Sequence, residues 1–137
     1  MNLLEPIVAW HRDIADIRRD IHPPPPLAFE DFRPADLRAA RLQEWGIEID
    51  RGMGGPGVVG VIRGNTDSPR AVGLRADMDA LPMQEANTFE HASQHEGKMH
   101  ACGHDGHTAM LLAAARYLSQ HRDFAGNDVH QIVVVVA

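Results

Sequence analysis

Ala71-Val72-Gly73-Leu74-Arg75-Ala76 is a short strand-like run that passes directly into Asp77-Met78-Asp79. The order of elements beyond that junction decides the fold. Residues 83–103 are polar with little periodicity, Thr108–Leu118 carries Ala, Leu or Met at most positions, and Ile132–Val136 is an unbroken β-branched run. Strand, long loop, mostly apolar helix and central-type strand, in that order, predict an α/β architecture with a largely parallel central sheet. Loops at the carboxyl ends of strands carry the chemistry in such sheets. Asp77 and Asp79 therefore stand where function is expected, and a loop as long as 83–103 is itself usually functional when ordered.

Upstream, Ile7, Val8, Trp10, Ile14, Ile17 and Ile21 recur at nearly helical spacing and predict one helix over residues 4–21. Pro23–Pro26 forbids its continuation and favours an extended segment. A second helix is expected from about Pro34, a residue suited to the first turn, to Trp45, with Gly46 as the stop. From Ile47 the pattern turns to strand: Ile47 and Ile49 alternate with polar residues, Arg51–Gly57 is a glycine-rich loop, and Val58–Ile62 is a short apolar run. The glycine-rich loop precedes a strand and lacks a following Lys-Ser/Thr, so it reads as a turn and not as a phosphate cradle. Gly126-Asn127-Asp128 reads as a further turn.

The chain has 137 residues, a net charge of -6, and 13 Lys and Arg with no basic run, which argues against nucleic acid as a partner. The N-terminus lacks a basic segment followed by a long apolar one, and no apolar run is long enough to span a bilayer. A cytoplasmic location without a membrane partner is the expectation. The single cysteine excludes an internal disulfide.

That cysteine has unusual neighbours. Five of the nine histidines fall within residues 91–107, and Cys102 lies inside His100-Ala101-Cys102-Gly103-His104-Asp105-Gly106-His107. Imidazole and thiolate both bind zinc-like ions. Cys102 and His104 are two apart, so in an extended segment both would project from one side, with Gly103 granting unusual torsions. A Cys-x-His pair alone is weak, and clustered histidines can simply form a polar loop. The placement just ahead of a helix favours metal binding. Asp77 and Asp79, also two apart, can hold a cation, orient a ligand imidazole or serve as acid and base, against the plain alternative of a solvated strand end paired with Arg75. His91 and His95 are expected at the surface.

Two stretches, Leu74-Arg75-Ala76-Asp77-Met78-Asp79-Ala80-Leu81-Pro82 and Gly97-Lys98-Met99-His100-Ala101-Cys102-Gly103-His104-Asp105-Gly106-His107-Thr108-Ala109-Met110-Leu111, strongly resemble the hippurate hydrolase and indoleacetyl-amino-acid hydrolase branch of the zinc aminoacylase-type metallopeptidases. The likeness extends to Asp20-Ile21-His22-Pro23 and Leu27-Ala28-Phe29-Glu30. It implies a metal-dependent hydrolase that uses two divalent ions, zinc or manganese, to cleave small N-acyl amino acids. It places Cys102 and His104 on metal-ligand positions and Asp79 on the catalytic aspartate that supports the metals. Asp77, His107 and Asp105 are candidate supporting residues. A divalent pair suits the chemistry, since it polarises an amide carbonyl and acidifies water.

The resemblance further implies that residues 1–137 are the N-terminal part of a three-layer α/β/α catalytic domain. The domain would be incomplete, with the inserted dimerisation domain and the C-terminal part absent. Family members form homo-oligomers, and an incomplete sheet would expose edges that favour self-association. Members of the branch follow the last strand with a Gln-Pro-Ala-Glu-Glu motif that supplies the general base and another ligand, and nothing after Val136 matches it. The run His22-Pro23-Pro24-Pro25-Pro26-Leu27 also departs from the family's His-Pro-Glu-Leu type of stretch. The chain by itself is therefore expected to show negligible turnover, or to act as a non-catalytic remnant or metal-binding module.

Overall fold

A computed structural model describes residues 4–23, 33–65, 68–124 and 129–136. Helices α1 (Leu4–Ala9), α2 (His11–Ile21) and α3 (Arg33–Glu44) precede strands β1 (Glu48–Met53), β2 (Gly57–Arg63) and β3 (Arg70–Ala76), followed by α4 (His104–Gln120) and β4 (Val129–Val136). The four strands form one sheet in the order β1-β2-β4-β3. Pro24–Pro26 and the expected turn at Gly126-Asn127-Asp128 lie outside the described residues.

The α/β class is as expected, but the sheet is mixed. β3 and β4 are parallel, whereas β1–β2 and β2–β4 are antiparallel. The connections explain this. Parallel neighbours need a crossover of a dozen residues or more, and only β3 to β4 has one, through α4. β1 and β2 are joined by a tight glycine-rich turn, which fits a hairpin. A Cβ on Gly57 would lie 2.2 Å from the Met53 carbonyl oxygen, so the hairpin closes only on a residue without a side chain.

One sheet face is covered. Val58, Ile62, Ala76, Val134 and Val136 pack with Leu42 and Ala39 of α3, Leu111, Leu112 and Ala115 of α4, and Ile17 and Ile21 of α2 in a single core. Fully burying a side chain of this size stabilises by roughly 1.5–3 kcal/mol. The other face carries Val59, Val61, Val133 and Val135, placed there by the strand register. Among the described residues the helices form one layer on one face of the sheet, as part of such a domain would. No helix among them is long and apolar enough to cross a membrane.

The first expected helix is divided at Trp10, whose backbone leaves helical geometry at φ -93°, ψ 2°. Its ring lies 4.3 Å from the Arg116 guanidinium carbon of α4, with Trp45 5.7 Å away on that same cation. Arg116 also donates to Asp13 at 3.1 Å. This cation–π contact ties the helical layer together near its surface.

Helix α4 begins at His104, four residues before the apolar pattern announces it. Its first turn is held by polar contacts instead, from His104 to Asp79 and from Asp105 to Arg18 and His22. Leu112 sits at the centre of the core with no exposed surface. Leu112→Ala is expected to lower unfolding free energy by about 2–5 kcal/mol in urea titrations. Met110→Ala, at a position 62% exposed on the same helix, should stay within about 0.5 kcal/mol of the parent chain.

Candidate metal centre

The carboxyl ends of β3 and β4 lie side by side, with Ala76 paired to Val136. The chain leaving β3 alternates. Asp77 is half-exposed and its Oδ1 accepts from Arg75 Nε at 2.9 Å, Met78 is buried in the core, and Asp79 turns toward the start of α4. Thr108 Oγ1, buried on α4, donates to the Asp77 carbonyl at 3.2 Å and clamps this segment to the helix. Asp77 and Asp79 therefore serve different partners and do not converge on one target.

Asp79 and His104 form the central pair. His104 Nδ1 lies 2.7 Å from Asp79 Oδ1 and 3.0 Å from the Asp79 carbonyl oxygen. Both oxygens are acceptors, so Nδ1 carries the proton and Nε2 keeps its lone pair for a ligand. A carboxylate behind an imidazole is the arrangement that fixes tautomer and ring direction in metal-binding histidines. The segment reaching His104 is a turn, so Cys102 and His104 are not set on one side by an extended backbone. Gly103 N bonds the His100 carbonyl at 3.1 Å, and Gly103 sits at φ 77°, a left-handed value that strains any side chain. Cys102 is exposed in that turn. His107 is exposed one helical turn on, its ring centroid 5.8 Å from that of His104.

Asp105 points the other way, into the protein, and is 1% exposed. Its Oδ2 accepts from Arg18 Nε and from His22 Nδ1, both at 2.9 Å. His22 Nε2 faces Glu85 at 3.2 and 3.3 Å, and Glu85 also accepts from the Ser93 amide at 2.6 Å and Asn87 Nδ2 at 2.8 Å. Ionised carboxylates only accept, so both ring nitrogens of His22 donate. Two carboxylates thus meet one guanidinium and one imidazole, which makes their burial tolerable. Burial by itself would raise the Asp105 carboxyl, but bonds from His22, Arg18 and the Gly106 amide hold it below its ordinary value. Burial likewise opposes ionisation of Glu85, and Asn87, the Ser93 amide and His22 overcome it. His100 is buried beside this network, its ring centroid 5.9 Å from that of His22, with neither ring nitrogen hydrogen-bonded in good geometry. Burial, reinforced by His22 and Arg38, pushes it down to about 4 against the opposing pull of Asp105.

The same loop is closed at its base by paired backbone bonds between Leu81 and Met99, at 2.8 and 3.1 Å, and by Gln84 Oε1 accepting from the Gly97 amide at 2.8 Å.

The model of the peptidase family M20/M25/M40 matches residues 73–137, which include Asp79, Cys102 and His104. A Bacillus subtilis protein described as a dinuclear metal-binding peptidase of the M20 family superposes with a TM-score of 0.85 at 37% identity, over 93% of this chain and 35% of that one. Residues 73–137 of this chain are thus similar to that family. Among similar proteins, the hippurate hydrolase of Campylobacter jejuni is 48% identical over 120 residues, covering 87% of this chain and 31% of that protein. The N-acyl-L-amino acid amidohydrolase of Geobacillus stearothermophilus is 45% identical over 118 residues, covering 85% and 30%. The chain spans about a third of the length of these relatives.

The donors fit a divalent metal in kind: a thiol and an oriented imidazole from one turn. They fall short in number, since no group of three or more His, Cys, Asp or Glu that could hold an ion occurs among the described residues. Of the residues singled out from sequence, Asp79 and His104 are brought together and Cys102 lies two residues before the helix start. Asp77 is bound to Arg75, and Asp105 belongs to the buried network. His95 is exposed, whereas His91 is partly buried and stacked on Phe89 at 4.2 Å between centroids. His22 and Glu85 received no role from the sequence. A histidine beside prolines and a glutamate in a polar loop carry no periodic signal of burial.

The buried groups set the acid stability of the metal-free chain. His100 binds its proton near 6.5 when unfolded but only near 4 when folded, so the unfolded chain binds more protons in that window and stability falls as pH drops through it. Glu85 and Asp105 have lowered folded values, so their contribution is complete above their unfolded values of 4.5 and 3.8 and is lost as pH falls further. Urea midpoints measured from pH 7.5 to 3.5 should decline steadily below about 6.5, and His100→Gln should flatten the upper part of that decline.

Proposed function

We propose that this chain supplies the metal-anchoring segment of a metal-dependent amide hydrolase acting on small N-acyl amino acids, hippurate-like compounds among them. The observation that carries the reading is the Asp79–His104 pair at 2.7 Å beside Cys102, on a chain 48% identical to a hippurate hydrolase. Cys102 and His104 Nε2 would hold the metal, with Asp79 fixing the imidazole. A thiolate and an imidazole favour zinc over manganese, which prefers oxygen donors. A bound divalent ion would polarise the scissile carbonyl and acidify water. Asp79 keeps the His104 proton on Nδ1 throughout, and the Thr108 and Arg75 contacts keep the Asp77–Asp79 segment from swinging away.

For the 137-residue chain by itself, a metal-binding module without turnover is the reading the donor set favours, since no group of three or more His, Cys, Asp or Glu that could hold an ion occurs among the described residues. Hippurate assayed with added zinc or manganese should show no turnover above the metal alone. Turnover that disappears in Cys102→Ser would sink this statement. The hydrolase reading is tested in a chimera, with this chain replacing the matching part of the Campylobacter hippurate hydrolase. The chimera should hydrolyse hippurate, and Asp79→Asn should reduce its activity or metal affinity by roughly 10–100-fold. A folded, metal-loaded chimera indifferent to Cys102→Ser and Asp79→Asn would refute the assignment.

A further inference from the structure

We propose that His22 is a positioning residue for the metal-bearing turn: by bridging Asp105 and Glu85 through its two ring nitrogens, it fixes the first turn of α4 and with it the Asp79–His104 pair. The proposal rests on reading His104 as a metal ligand.

The links form a closed circuit. Asp79 binds His104, Asp105 is the next residue, Asp105 binds His22, His22 binds Glu85, and Glu85 lies six residues beyond Asp79 on the same loop. Neighbouring positions on a helix differ by about 100° in direction. Holding Asp105 inward therefore dictates where His104 points. Two donors hold Asp105, and they are unequal. The Arg18 side chain is 57% exposed and shares its charge with water, whereas His22 is 7% exposed and bonds without that competition.

At the far end, the Glu85 side chain is 2% exposed and pinned by the Ser93 amide and Asn87, so His22 is braced and cannot trail Asp105 if the helix turns. Every other member of the circuit belongs to the strand end, its loop or α4. His22 alone arrives from the end of α2, whose Ile17 and Ile21 are anchored in the core. The bridge therefore references the metal-bearing turn to the helical layer as well as to the sheet. A wedge of apolar residues would fill the same space, but it would fix no direction for the Asp105 carboxylate.

The test reads His104 in the metal-free 137-residue chain by long-range proton–nitrogen NMR on 15N-histidine, with His104→Gln assigning the signal. The parent chain should show a single Nδ1-protonated tautomer with a protected Nδ1 proton. In His22→Gln that signal should exchange faster and a second tautomer should appear, while the methyl signals of Leu112 and Val134 stay dispersed. Glu85→Gln, which keeps acceptors for Ser93 and Asn87, should move His104 in the same direction by less. Zinc affinity should fall by roughly 10–100-fold in His22→Gln. Folded variants with an unchanged His104 signal would overturn the proposal, and so would loss of folding in both, which would mark the bridge as a requirement for folding only. If the parent chain takes up no zinc while His104 responds to His22→Gln, the positioning link stands and the metal reading fails.

Discussion

A carboxylate withdrawn from water must find donors within the protein, and Asp105 imposes that demand on everything around it. It is met from α2 by Arg18 and His22, and His22 passes the demand on to Glu85. Three segments distant in sequence are thereby held to one another by charge: the end of the second helix, the start of the fourth, and the loop between strand and helix. Apolar contacts bring the layers together, but they are indifferent to rotation about a helix axis. The ionic bridge is not.

The result is a division of labour along one short motif. His104 and Asp105 are adjacent, yet one faces the accessible edge of the sheet and the other the interior. The accessible side presents the second ring nitrogen of His104 and an exposed thiol. The interior side uses its polar atoms for architecture. A motif that looks catalytic throughout in one dimension is thus half scaffold in three, and the match to the M20/M25/M40 family model spans both halves.

Much of the fold was legible because it rests on periodicity. The apolar run before Asp77, the alanine- and leucine-rich stretch from Thr108 and the β-branched run ending at Val136 each became the element they announced. The mixed character of the sheet was not legible, since strand direction depends on which connections are tight, and β4 pairs with two strands of opposite direction. The early start of α4 was hidden for a related reason: His104, Asp105 and Gly106 are poor helix formers, and tertiary bonds override that preference. At the site, the pairing of strand end and Cys-His turn came from their common position, and Asp79 meets His104 accordingly. The inward role of Asp105 could not be read, because its partners lie more than 80 residues away by the His22 and Arg18 contacts.

The sheet order also has a temporal meaning. β4, latest in chain order of the four strands, lies between β2 and β3, which have no direct contact with each other in the strand order. During synthesis, β2 can zip to β1 as soon as both have emerged, but β3 must wait for β4, its one neighbour among the described strands. Until Val129–Val136 arrives, the Asp77–Asp79 segment hangs from an unpaired strand, and the Cys102–His104 turn has no fixed wall to lean on. Assembly of this region is therefore an ordered process in which the middle of the sheet is inserted last, a non-local step of the kind that slows folding.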